Sequence, residues 1–145
     1  NLTGVLNTVQ PLIPLMTQRR SGQIAIMGSL AGLRGFTGAP SYCASKAAVR
    51  VYGEALRSEM AAHNVAVNVI CPGFIRTPMT DKNPFPMPLI MPATRAAQII
   101  KTGLAANRAR IAFPWILYAL IRLIGLLPQD WLNRPMARLP RKPAQ

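Results

Sequence analysis

The chain has 145 residues, half of them hydrophobic and only 14% charged, a balance that excludes intrinsic disorder and supplies one domain with a core of its own. Seventeen Lys and Arg stand against four Asp and Glu, a net charge of +13, but the basic residues are spread along the chain without the tight run or aromatic interleaving of a nucleic-acid reader, so no nucleic-acid partner is expected. Two cysteines without CxxC or metal-ligand spacing and a single histidine predict no metal site, and with no disulfide framework or signal pattern the cytoplasm is the default compartment.

The opening NLTG has neither a methionine nor a capped start and reads as a helix already under way, the expectation for a fragment of a longer protein. Val5, Leu6, Val9, Leu12, Ile13 and Met16 recur at helical spacing over Leu2 to Arg20, with Pro11 and Pro14 as kink points. A turn at Ser21 to Gln23 leads to IAIMGS, Ile24 to Ser29, a continuous apolar run that predicts a strand buried on both faces. The Gly-rich stretch Leu30 to Pro40 reads as a loop. Ser41 to Ala62 follows as a helix whose apolar face is expected to be Ala47, Ala48, Val51, Ala55, Leu56 and Met60. Asn64 to Gly73 is a second buried strand, stopped by Pro72 and Gly73.

Phe74 to Met91 is proline-rich and without period, a long loop of the functional kind. Ala93 to Asn107 is a helix with Ala96, Ala97, Ile100 and Leu104 on one side, and Arg108 to Pro114 a short last strand. Helices and strands alternating with short connections predict an α/β fold, a partial doubly wound parallel sheet. The division expected is 1–113 for this body and 114–145 for an apolar and basic C-terminal helical extension. Within that extension Arg122 interrupts an apolar run too short for the roughly 20 residues that cross a bilayer. Two roles stay open for it: a cover over the site mouth or against a partner subunit, or an interfacial segment with Trp115, Tyr118 and Trp131 among lipid headgroups.

Tyr42 and Lys46 are one helical turn apart and share a face, where an ammonium favours the phenolate and fits the tyrosine for proton transfer. Ser29, at the carboxyl end of the first strand, sits where open α/β sheets hold ligands and can donate to a substrate oxygen. A Tyr-x-x-x-Lys pair taken alone is commonplace on helix surfaces.

The wider pattern is more specific. NLTG at Asn1 to Gly4, GSLAG at Gly28 to Gly32, YCASK at Tyr42 to Lys46 and NVICPGFIRTPM at Asn68 to Met79 stand in an order and spacing that resemble the short-chain dehydrogenase/reductase family. The resemblance implies a Rossmann-like fold of which this chain is the C-terminal, catalytic half. It implies Tyr42 as acid–base, Lys46 as the residue that activates Tyr42 and binds the nicotinamide ribose, and Ser29 as the group polarising the substrate carbonyl or hydroxyl. Asn1 corresponds to the asparagine of the family's proton relay, and Pro72, Gly73, Ile75 and Thr77 to the segment beside the nicotinamide carboxamide. The cofactor would be NAD or NADP, NADP slightly favoured. The family's T-G-x-x-x-G-x-G turn, which holds the pyrophosphate, does not occur in these 145 residues.

The resemblance therefore implies an NAD(P)-dependent oxidoreductase moving hydride between the nicotinamide and a carbonyl or alcohol substrate, apolar by the Phe, Met, Leu and Trp content of 74–91 and the extension. The isolated chain is expected to be inactive. It also implies a homo-oligomer through helices 2–20 and 41–62. The competing expectation is a non-enzymatic module on a truncated fold that binds a membrane or partner through 114–145.

Overall fold

The structure is a computed structural model that describes residues 1–78, 80–82, 86–128 and 130–132. Its elements are α1 (Leu2–Val9), α2 (Leu12–Arg19), β1 (Gly22–Met27), α3 (Pro40–Ala61), β2 (Val65–Pro72), β3 (Ile75–Arg76), β4 (Met91–Pro92), α4 (Ala93–Ala105), β5 (Arg110–Phe113) and α5 (Trp115–Ile124). Pro11, with no N–H to donate, separates α1 from α2. Pro40 opens α3 at its first position, where that missing donor is harmless.

A three-stranded parallel sheet in the order β1-β2-β5 carries the fold, with Ile24 opposite Val67 and Ile70 opposite Ile111. β2 takes the centre because VAVNVICP is β-branched and almost wholly buried, as a strand covered on both faces must be. On one face Val9 of α1 and Val49, Leu56 and Met60 of α3 meet Ile24, Ile26, Val65 and Val67. Toward the carboxyl end of the same face, Leu117, Tyr118 and Ile121 of α5 pack on Leu30, Val69 and Cys71. On the opposite face Ala96, Ile99, Ile100 and Leu104 of α4 lie against Ile70, Ile111 and Phe113. Helices on both faces of a parallel sheet make this the doubly wound α/β fold that the sequence predicts.

Several expectations are corrected. β1 is not buried on both faces: Ile24 and Ile26 are inside, but Gln23, Ala25 and Met27 are exposed. The reason is that α4 packs over β2 and β5, while toward β1 it offers the Leu104 carbonyl, which accepts from Gln23 Nε2 at 2.9 Å. Gly22 and Gln23, expected in a turn, begin the strand. On α3 the inward row is Cys43, Val49, Gly53, Leu56 and Met60, while Val51 and Ala55 face out. Gly53 decides between the rows, since a Cβ there would stand 2.6 Å from Val69 Cγ2, so only this side lets the helix close onto the sheet. On α4, Ala97 is exposed and Ile99 takes the inward place.

The long loop has structure at its ends. Ile75–Arg76 and Met91–Pro92 pair as short parallel strands, and Met91 N donates to the Phe74 carbonyl at 3.1 Å. Residues 79 and 83–85 of this loop, and 129 and 133–145 of the extension, lie outside the described residues. Among the described residues no helix is long and apolar enough to cross a membrane.

Candidate active site

Gly28 N continues the sheet ladder to the Ile70 carbonyl at 2.7 Å, which places Ser29 at the carboxyl end of the sheet. Ser29 is buried, and its Oγ accepts from Ala31 N at 3.1 Å, capping a 3-10 turn at Leu30–Gly32. That turn is seated on α3. A Cβ on Gly32 would stand 2.5 Å from the Lys46 carbonyl oxygen, so only glycine allows the contact, and Arg50 Nε holds the Gly32 carbonyl at 3.1 Å.

Lys46 joins the two elements. Its Nζ donates to the Met27 carbonyl at 3.0 Å and lies 5.9 Å from the centroid of the Tyr42 ring. Ser29 follows Met27 by two residues, so Ser29, Tyr42 and Lys46 gather at one end of the sheet. Burial pulls the Lys46 ammonium below the ordinary lysine value, and the Coulombic attraction of Cys71 acts the other way. Tyr42 is 45% exposed, its ring forming the open side of the site.

Asn1 precedes α1 without a side-chain cap; its Nδ2 donates instead to Ser45 Oγ at 3.3 Å, and Ser45 Oγ donates to the Tyr42 carbonyl at 2.8 Å. Asn1 therefore reaches the Tyr42 turn through Ser45, which the sequence reading passed over. The available signal was a hydroxyl three residues after Tyr42 inside a helix, a spacing at which serine bonds back to the backbone.

Pro72 ends β2, and Gly73 N donates to the Phe113 carbonyl at 2.7 Å, so the segment that follows leaves the sheet at this same carboxyl edge. Thr77 and Thr80 interlock. Thr77 N donates to Thr80 Oγ1 at 2.8 Å, Thr80 Oγ1 to the Ile75 carbonyl at 2.8 Å, and Thr80 N to Thr77 Oγ1 at 3.2 Å. The Thr77 hydroxyl proton is then left for Thr80 Oγ1, 3.3 Å away, or for a ligand.

An ion network braces the site from behind. Glu54 takes Arg50 at 2.8 Å and Arg110, while Arg110 Nη1 donates to Tyr118 Oη at 3.0 Å, tying α3 to β5 and α5. Burial works to raise the Glu54 carboxyl, but the hydrogen bonds from Arg110 and Arg50 outweigh it and hold the group below its ordinary value. Two surface depressions, one lined by Gln98, Ile99, Thr102 and Arg108 and one including Gly22, Arg57, Asn64 and Asn107, contain none of these residues. Among the described residues the chemistry-bearing groups form a shelf along the carboxyl edge of the sheet, open to solvent at the Tyr42 ring.

The shelf suits the nicotinamide end of a dinucleotide. Lys46 spends one of its three ammonium protons on Met27, leaving others for a ribose hydroxyl, and the Thr77 hydroxyl proton can turn from Thr80 Oγ1 to a carboxamide oxygen.

Residues 1–85 match the family model for short chain dehydrogenases. An uncharacterized oxidoreductase of Myxococcus xanthus is 34% identical over 139 residues, which cover 96% of this chain and 55% of that protein. A 3-oxoacyl-[acyl-carrier-protein] reductase, FabG, of Thermotoga maritima is 43% identical over 84 residues, 58% of this chain and 34% of its own. In fold, the chain superposes on a short-chain dehydrogenase from Streptomyces avermitilis with a TM-score of 0.72 at 20% identity, covering 92% of this chain and 57% of that one. Where the match runs the length of the chain, it spans about half the length of its curated relative.

Proposed function

Because the chain belongs to the short-chain dehydrogenase/reductase family, we propose that it forms the catalytic half of a nicotinamide-dependent oxidoreductase acting on a carbonyl or alcohol group. The observation that carries this reading is the Lys46 bridge, which binds the end of the Ser29 strand and leans on the Tyr42 ring from one ammonium. When bound, NAD or NADP supplies or accepts the hydride. In the reducing direction the Tyr42 hydroxyl gives its proton to the substrate oxygen, and the nearby Lys46 charge favours the phenolate left behind. Ser29 Oγ is held by the Ala31 N–H, so its own proton is free to bond that same oxygen as charge develops on it. Asn1 and Ser45 steady the turn that carries Tyr42. Lys46, Pro72, Gly73, Ile75 and Thr77 border the nicotinamide.

The substrate proposed is apolar. The exposed Leu89 of the long loop supports this, as does the 3-oxoacyl reductase among the relatives, which points to a carbonyl on an acyl chain. A homo-oligomer through α1, α2 and α3 is supported by exposed Leu12 and Leu15 on α2 and Val51 on α3.

In the whole protein that this catalytic half serves, Tyr42→Phe should lower kcat by about 10²- to 10⁴-fold while cofactor affinity, read by fluorescence, is kept. A kcat within a few-fold of the parent would refute the role. The 145-residue chain alone, lacking the Gly-rich pyrophosphate turn, should show no cofactor-dependent turnover.

A further inference from the structure

Apart from Arg122 and the Tyr118 hydroxyl, α5 is apolar on every side. Leu117 and Ile121 face inward onto Leu30, Val69 and Cys71, while Trp115, Ile116, Leu120 and Leu123 stand in solvent, with Leu126 and Trp131 continuing the exposed row at 81% and 71%. A helix that is hydrophobic all round belongs in a core or in lipid, and only half of this one is covered. At 10 residues it is about 15 Å long, too short to cross a bilayer and suited to lying in its surface.

We propose that the exposed row of α5 docks the protein on an anionic lipid bilayer, the helix lying in the membrane plane with Trp115 and Trp131 at headgroup depth. Charge selects this occupant over a second copy of the chain. Arg122 is exposed at the border of the row, and from Trp115 to the end of the sequence five basic residues meet one acid, Asp130. A second copy seated on this row would bring two such basic segments together, whereas the same charge draws the helix to phosphatidylserine headgroups. Tryptophan prefers this interface because its ring is apolar and its N–H polar. The inference stands apart from the oxidoreductase reading, since it uses none of the site residues.

The chain supplies its own probe, because its two tryptophans are both in this segment. Added vesicles of phosphatidylcholine and phosphatidylserine, at about seven to three, should shift tryptophan emission to the blue, and brominated acyl chains should quench it. Leu120→Ser with Leu123→Ser changes exposed side chains only, and should weaken co-sedimentation at least about tenfold with an unchanged circular dichroism spectrum. Arg122→Glu should weaken binding to the anionic vesicles, and pure phosphatidylcholine should bind the parent chain poorly. An unshifted emission, or equal binding by the double serine variant, would overturn the proposal. Equal binding by Arg122→Glu would overturn the choice of an anionic surface. A dimer in sedimentation velocity that the double variant abolishes, without vesicle binding, would assign the row to a second copy instead.

Discussion

Gly32→Ala tests how the catalytic strand end is seated on its helix. The new Cβ would lie 2.5 Å from the Lys46 carbonyl oxygen, 2.6 Å from its carbon and 2.9 Å from Ala47 N, where ordinary contact begins at 3.4 Å. All three are helix backbone and cannot turn aside, so the 3-10 turn must back away by roughly 1 Å, at a cost of about 1–3 kcal/mol. With a urea slope of about 2 kcal/mol per molar, a loss of about 2 kcal/mol lowers the unfolding midpoint by about 1 M. Retreat also stretches the Arg50 hold on Gly32 and moves Ser29 relative to Lys46, so in the whole enzyme kcat/KM should fall by about 10²-fold. The control is Gly35→Ala, whose Cβ meets nothing within 4 Å and should leave the stability within about 0.5 kcal/mol of the parent, a midpoint shift under about 0.25 M. Equal midpoints for Gly32→Ala and Gly35→Ala would refute the reasoning.

Asn68 is fully buried, accepting from Gln23 Nε2 at 2.8 Å and donating to the Arg108 carbonyl at 2.7 Å, so Asn68→Ala should cost about 1–3 kcal/mol in a urea titration by stranding those partners. Glu54 stabilises the fold as a carboxylate. Its folded value is depressed, so its contribution is present above the ordinary carboxyl value of 4.5 and is lost as pH falls through the lower folded value. The gap in unfolding midpoint between the parent and Glu54→Gln should therefore be widest near about pH 7 and close toward about pH 3; a gap independent of pH would sink that account.

The parts of the site legible in the sequence were those fixed by local geometry. Tyr42 and Lys46 are set by helical spacing, and Ser29 by its place at the end of an apolar strand. What the spacing could not reveal was contact across elements. Ser45 matters because Asn1 arrives beside it from 44 residues away, and Glu54 because Arg110 comes from another strand, whereas the sequence displays only the Arg50–Glu54 pair one turn apart. The inward face of α3 was ambiguous because small residues line both candidate rows, and which row closes on the sheet depends on Val69 of β2 facing Gly53. The exposure of β1 was invisible for a similar reason. Ala25 and Met27 are apolar in composition, but burial depends on what lies over them, and α4 does not reach that far.

The short pairing of β3 with β4 bears on how such a protein can change its preferences over generations. The two ends of the long loop are clamped side by side, Met91 N to the Phe74 carbonyl and Ile75 opposite Met91, beside the segment proposed to border the nicotinamide. An excursion closed at its base adds little to the cost of folding when it lengthens, about 0.6 kcal/mol for each doubling. Insertions, deletions and wholesale exchange between the clamps are thus nearly neutral to the sheet, and selectivity can drift there while the proton-handling residues stay where β1 and α3 hold them.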